Sequence, residues 1–145
     1  MEILAYNTLP IPLDYFKSFM GNMDNWFTPP LSNNINISDY SEKIYTHASF
    51  IISKKSSNDI IGFLAYYKNE RTRQLYIPLI AIEPSFQGHG LGGLMLEKLV
   101  DENNDYHSIA LEVRKNNYWA KRFYEKHGFV ETEDRGEKIL MAKAF

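Results

Sequence analysis

The sequence predicts an α+β fold, and three observations carry that prediction. Residues 74–114 read as strand, glycine-rich turn, helix, strand, the pattern of a right-handed crossover between two parallel strands. Residues 48–67 and 129–144 each hold two short apolar runs across a polar turn, the signature of antiparallel hairpins. Two short helical patterns precede all of these, so the order β, α, α, β, β, β, α, β, α, β, β does not alternate as a doubly wound sheet requires. With 145 residues and no linker, repeat or low-complexity tract, a single domain over 1–145 is expected.

Glu2–Leu9 predicts an opening strand, stopped by Pro10 and Pro12, which fix φ and lack an N–H. Asp14 then caps a short helix through Met20, with Tyr15, Phe16 and Phe19 as its apolar side. Residues 21–36 read as a loop, because asparagines and Pro29-Pro30 interrupt any period. Trp26, Phe27 and Leu31 are too large and apolar to face water together, so this arm either lines a site or pins itself to the core. Ser38-Asp39, with Glu42 behind, mark a second helix start, and that helix runs to about His47. Strands at 48–54 and 60–67 flank a polar turn at 55–59, residues 68–73 are a solvated link, and 74–82 is the next strand. Pro78 inside that strand removes a ladder donor, so a bulge or lost pairing is expected there. Pro84 ends the strand.

Residues 82–96, I-E-P-S-F-Q-G-H-G-L-G-G-L-M-L, are the stretch around which the rest is arranged. Gly88, Gly90, Gly92 and Gly93 crowd bare N–H groups at a helix start, where the helix dipole favours an anion. A pyrophosphate cradle and a plain tight turn are the two readings of those glycines. The helix covers 90–102 with Leu91, Leu94, Met95, Lys98 and Leu99 as its buried stripe. In the strand 108–114, Ile109, Leu111 and Val113 share one face and Ala110, Glu112 and Arg114 the other. Asn117 caps the last helix, where Ala120, Phe123, Tyr124 and His127 recur at helical spacing, and Gly128 ends it in the left-handed region. Residues 129–133 and 138–144 form a terminal hairpin across D-R-G-E.

Composition excludes several function classes. A formal charge of -2, with 44% hydrophobic and 23% charged residues, gives no bulk electrostatic attraction to nucleic acid, although Lys115, Lys121, Arg122 and Lys126 form a local basic group. Absence of cysteine excludes disulfides, a thiol nucleophile and thiolate metal sites. His89, His107 and His127 lack ligand spacing, so no metal is expected. The start M-E-I-L-A-Y-N lacks the regions of a signal peptide, and no apolar run reaches membrane-spanning length. A cytoplasmic location and no membrane partner are therefore expected.

Two motifs resemble those of the GCN5-related N-acetyltransferase (GNAT) superfamily. The first, Q/R-x-x-G-x-G/A, stands as Gln87-Gly88-His89-Gly90-Leu91-Gly92 after the hydrophobic-x-Pro of Ile82-Glu83-Pro84. The second, N-x-x-A-x-x-F-Y-x-x-x-G-F, stands as Asn117, Ala120, Phe123, Tyr124, Gly128 and Phe129. The chain's first third matches only in its helix content. The resemblance implies a mixed sheet of about seven strands flanked by about four helices, splayed between 74–82 and 108–114. It implies acetyl-coenzyme A as donor and a primary amine as acceptor.

On this resemblance the pyrophosphate rests on main-chain amides of Gly88, His89, Gly90, Leu91 and Gly92, with Gln87 opening the turn. Pantetheine enters the splay and pairs with the backbone of Ala81 and Ile82, while Asn117, Ala120, Phe123 and Tyr124 lie beside it. Tyr124 is the implied general acid for the departing thiolate. Family members often place a base on the strand before the motif, but L-Y-I-P-L-I-A-I carries no acid; Glu83, Glu112, Tyr76, Tyr66 and Tyr67 remain as candidates, with Glu83 taken as the catalytic one. Trp26, Phe27, Tyr66 and Glu112 are the expected acceptor contacts. The expected acceptor is a small-molecule amine, such as an amino sugar or sugar nucleotide. A protein or peptide amine, and a non-catalytic acyl-coenzyme A sensor, are the alternatives. Oligomeric state is not written in the sequence; family precedent allows a homodimer through the terminal hairpin or an edge strand.

Overall fold

A computed structural model describes residues 1–27, 29–56 and 59–145. Among the described residues there are seven strands: β1 (Glu2–Tyr6), β2 (Ser49–Lys54), β3 (Ile60–Asn69), β4 (Gln74–Ile82), β5 (Ser108–Arg114), β6 (Val130–Arg135) and β7 (Lys138–Ala144). They form one sheet in the order β1-β2-β3-β4-β5-β7-β6. Only β4 and β5 run parallel, as the expected crossover requires; every other neighbouring pair is antiparallel. Four helices flank the sheet: α1 (Leu13–Met23), α2 (Ile37–His47), α3 (Leu91–Glu102) and α4 (Tyr118–Lys126). The α+β architecture read from the sequence is the one observed.

Buried residues run unbroken through 50–53 of β2 and 61–66 of β3 because both faces of the central sheet are covered. On one face Ile51, Ile61 and Leu64 pack with Met95, Leu99 and Tyr124 of α3 and α4. On the other, Phe50, Ile52, Phe63 and Ala65 pack with Phe16, Met20 and Ile44 of α1 and α2. This second core takes its strand residues from β2, β3 and β4, so the corresponding face of β5, β7 and β6 lies outside it.

Several boundaries move. β1 stops at Tyr6, and α1 starts at Leu13 behind Pro12 with no side-chain cap; Asp14 sits inside its first turn. Its buried face is Phe16, Met20 and Met23, while Tyr15 is 64% exposed. The expected loop 21–36 is shorter, because α1 continues to Met23 and three-residue 3-10 turns form at Asp24–Trp26 and Leu31–Asn33; Thr28 within it lies outside the described residues. Asn36, rather than Ser38 or Asp39, caps α2: its Oδ1 accepts from the Asp39 N–H at 2.9 Å. Of the polar turn 55–59, residues 57 and 58 lie outside the described residues, and Lys55 N–H donates to the Asp59 carbonyl. In α3 the buried set is Leu91, Gly92, Met95, Leu96 and Leu99, whereas Leu94 is exposed. The stripe is rotated toward Gly92 because that glycine meets the Phe123 ring of α4. β6 extends to Arg135, two residues beyond expectation.

Candidate functional site

β4 and β5 pair only through Gln74–Ser108, Leu75–Ile109 and Tyr76–Ala110, and no strand pairs with the β5 side of β4 beyond Tyr76. The parting begins at the proline. On the β3 side, Ala65 pairs with Leu79 and Tyr67 with Tyr76, so Ile77 and Pro78 together face Tyr66 in a β-bulge. The ladder resumes with Glu83 N–H donating to the Ile61 carbonyl at 2.9 Å, which makes Phe63–Ala81 the next hydrogen-bonded pair. Ala81 therefore spends its main-chain groups on β3, and its expected contact with a ligand in the gap is corrected. Ile80 and Ile82 turn theirs into the gap. The Ile82 carbonyl accepts from Gln87 Nε2 at 2.9 Å, and the Pro78 carbonyl from the Tyr40 hydroxyl at 3.3 Å. Among the described residues Ile80 N–H, Ile82 N–H and the Ile80 carbonyl have no partner and remain available along this edge.

At the end of β4 a 3-10 turn, Pro84–Phe86, leads into the glycine segment. Gly88 and Gly90 adopt φ of 80° and 81°, which side chains resist, and Gly90 serves as the cap of α3 with no side-chain hydrogen bond. The first N–H groups of α3, at Leu91, Gly92 and Gly93, thus have neither an intrahelical nor a capping partner. Gln87, Gly88, His89 and Gly90 are all exposed. Gly92 and Gly93 serve packing instead. A Cβ on Gly92 would come within 2.7 Å of the Phe123 ring and 3.3 Å of Ile82, and one on Gly93 within 2.6 Å of His127. These contacts seat the helix N-terminus at the mouth of the gap. Burial, with Lys126 and Lys143 adding to it, holds the His127 imidazole below its ordinary value. The arrangement fits a diphosphate with an extended arm: unpaired amides at a helix start, beside a strand edge with free N–H groups.

A cavity of about 560 Å³ passes through the gap. Trp26, Phe27, Leu31 and Tyr40 line it on the α1–α2 side; Asn117, Ala120 and Tyr124 line it from α4. Asn117 also caps α4, accepting from Ala120 N–H at 3.1 Å. Tyr124 is 7% exposed, edge-on to Phe123 and Phe129, and burial alone pushes its phenol well above the ordinary value. Glu112 enters from β5, and both its oxygens are held: Tyr76 Oη donates to Oε1 and Arg135 Nη1 to Oε2, each at 3.3 Å.

Two expected site residues are elsewhere. Glu83 accepts from Ser85 Oγ at 3.0 Å and lines a separate cavity with α1, Lys54 and Lys55, because the β4 pleat turns it away from the gap. Tyr66 is 2% exposed on the α3 face, and its hydroxyl accepts from Asn103 Nδ2 at 3.2 Å. It is a core tyrosine. Of the other phenols, Tyr67 has a buried hydroxyl without a partner among the described residues. Ile80, Tyr40, Arg114 and Lys138 were not singled out for the cleft from the sequence. Strand alternation points to Ile80 from Ile82 and to Arg114 from Glu112, but nothing local in the sequence marks Tyr40 or Lys138.

Among the described residues no group of three or more His, Cys, Asp or Glu is placed to hold a metal ion, and no helix is long and apolar enough to cross a membrane.

The family model described as Acetyltransferase (GNAT) family matches residues 20–129. The chain is similar to the ribosomal protein bS18-alanine N-acetyltransferase of Escherichia coli, 37% identical over 75 residues, covering 43% of this chain and 51% of that protein. It is also similar to the spermine/spermidine N(1)-acetyltransferase of Bacillus subtilis, 27% identical over 95 residues, covering 57% of this chain and 62% of the relative. The chain thus spans about half the length of the first of these relatives and under two thirds of the second. In fold it is like the PaiA N-acetyltransferase of Thermoplasma acidophilum in complex with coenzyme A, with a TM-score of 0.75, 13% identity and 100% of both chains covered.

Proposed function

The chain belongs to the acetyltransferase (GNAT) family, and from that premise we propose that it is an acetyl-coenzyme A-dependent N-acetyltransferase acting on the amine at the start of a peptide or protein. The observation that carries this reading is the parted β4–β5 edge, with unpaired amides at its end and Tyr124 and Glu112 both lining the opening. A peptide acceptor is favoured because the cleft runs past Glu112 and Arg114 of β5 to Lys138 of β7, residues outside the α1–α2 core. The relative 37% identical over its match is named for acetylating an alanine of a ribosomal protein. The amino-sugar expectation draws nothing from these relatives. Trp26, one of the expected acceptor contacts, meets Phe19 edge-on at 6.1 Å and is tied to the core.

Acetyl-coenzyme A, when bound, supplies an acetyl thioester. The Gly88–Gly92 amides and the α3 N-terminus would hold its diphosphate. Ile80 and Ile82 N–H groups would align the arm and draw charge from the carbonyl oxygen. Glu112, fixed by Arg135 and Tyr76, receives the acceptor's ammonium and takes its proton on a carboxylate oxygen. Tyr124 Oη donates its proton to the departing sulfur; burial keeps the phenol protonated for that task. A carboxylate in the cleft supports a catalytic reading over a non-catalytic sensor.

Thiol release from acetyl-coenzyme A, with mass detection of product, tests the reading across peptides with a free α-amine, α-blocked lysine peptides, glucosamine and spermine. Acetylation of the α-amine peptides is expected. Release with small amines only, or with none of the panel, overturns it.

A further inference from the structure

The charges around the cleft suit an amine with an anion close by. Glu112 is the only carboxylate among the described lining residues, and Arg114 and Lys138 line the same cavity. Arg114 lies two residues beyond Glu112 on β5, hence on the same face. Lys138 stands directly opposite Arg114 in the β5–β7 ladder, so it shares that face too. Ile109, Leu111 and Val113 point to the α3 core, which puts these cations on the side of the sheet away from the α3 cradle.

Among the described residues neither cation has a close, buried carboxylate partner. Lys138 is half-buried and has no ion pair among the described residues. Arg114 reaches only Glu137, at 3.8 Å, and that carboxylate is 91% exposed. Glu112 shares Arg135, at 3.3 Å, with Glu133, at 3.2 Å, which leaves it charge for one amine. A polyamine would bring several ammonium groups to a cleft lined by one carboxylate and two cations. A single amine followed by an acid fits.

Resting on the peptide reading above, we propose that the acceptor carries an acidic side chain within about three residues of its α-amine, bound by Lys138 and Arg114 while Glu112 holds the amine. Two strand residues span about 7 Å, the separation between an α-amine and the side-chain carboxylate of the next residue or the one after.

The test measures kcat/KM for matched peptides that differ only in whether positions two and three hold Glu, Gln or Lys, with spermine alongside. The acidic peptide is expected to exceed the lysine peptide by about tenfold, and the ratio to shrink at high salt. Lys138→Glu should invert the order, and Lys138→Gln should give an intermediate ratio, which keeps the test open if charge reversal disturbs the hairpin. A flat or reversed order in the unmodified protein overturns this proposal alone. So does a Lys138→Gln or Lys138→Glu variant that changes the KM for acetyl-coenzyme A but not the peptide order. Thiol release with no peptide at all defeats the parent reading and this proposal with it.

Discussion

Tyr124→Phe removes one oxygen and separates the chemistry from the fold. The ring sits edge-on to Phe123 and Phe129 and is 7% exposed; the phenylalanine keeps those contacts. Desolvation is the cause that raises the phenol, so the wild-type group stays protonated through neutral and alkaline pH and remains a donor. A positioned acid contributes about 100- to 10,000-fold, and a thiolate, being a good leaving group, needs the smaller help; kcat should fall by about 100-fold. Affinity for coenzyme A should change by less than about threefold, since apolar packing is retained. Stability should hold, because the ring packing is kept and the hydroxyl lines the cavity; each kcal/mol of change would move Tm by about 2–4 °C at this chain length. Thiol release at saturating substrates from about pH 6.5 to about pH 10, calorimetry with coenzyme A and thermal melts read the three quantities. A kcat within about threefold of wild type across that range would refute the acid role. A Tm lower by more than about 4 °C would show that the hydroxyl holds the fold instead.

Gly92→Ala places a Cβ 2.7 Å from the Phe123 ring, so the first turn of α3 must shift; stability should drop by about 1–3 kcal/mol and coenzyme A binding weaken about tenfold by calorimetry. Unchanged affinity would mean that this turn does not carry the diphosphate. Asn117→Ala loses the α4 cap and should cost about 1 kcal/mol in thermal melts, while Asn117→Asp keeps most of it. His127 is held below its ordinary value of 6.5, so its contribution to stability is present above that pH and is lost as pH falls through the folded value, because the unfolded chain binds the proton more readily. Between about pH 7.5 and about pH 5, His127→Gln should therefore lose less Tm than wild type, and parallel curves would contradict the assignment.

The C-terminal two thirds were legible because their signals are local. Gly88, Gly90 and Gly128 take the positive φ their positions demand, Asn117 caps the helix it precedes, and β4, β5 and β7 begin and end where their apolar runs do. Pro78 marked its bulge directly. What failed depended on tertiary partners. Leu94 fits the helical period of α3, yet the rotation of that helix is set by Phe123 and His127 pressing on two glycines. Tyr66 and Glu83 are ordinary site residues by type, and only the pleat of β3 and β4 decides that one enters the core and the other a different cavity. The clamp on Glu112 joins three strands, through Tyr76, Glu112 and Arg135, at sequence separations no local pattern connects.

The free edge of β4 explains why an unpaired strand at the centre of the sheet is tolerable. An open edge invites strand pairing, and a fully open one would present alternating donors and acceptors to any passing chain. This one is edited. Pro78 brings no N–H, its carbonyl is taken by Tyr40, and the Ile82 carbonyl is taken by Gln87. Two donors, Ile80 N–H and Ile82 N–H, are left against one acceptor, the Ile80 carbonyl, so the edge no longer has the alternation that a β-strand would match. It suits a narrow ligand rich in carbonyl oxygens, entering from the end where α3 offers its bare amides. The residue that opens the first motif thus acts twice: Gln87 starts the turn toward the helix, and its side chain removes from the gap a carbonyl that would repel the oxygen of an arriving acyl group.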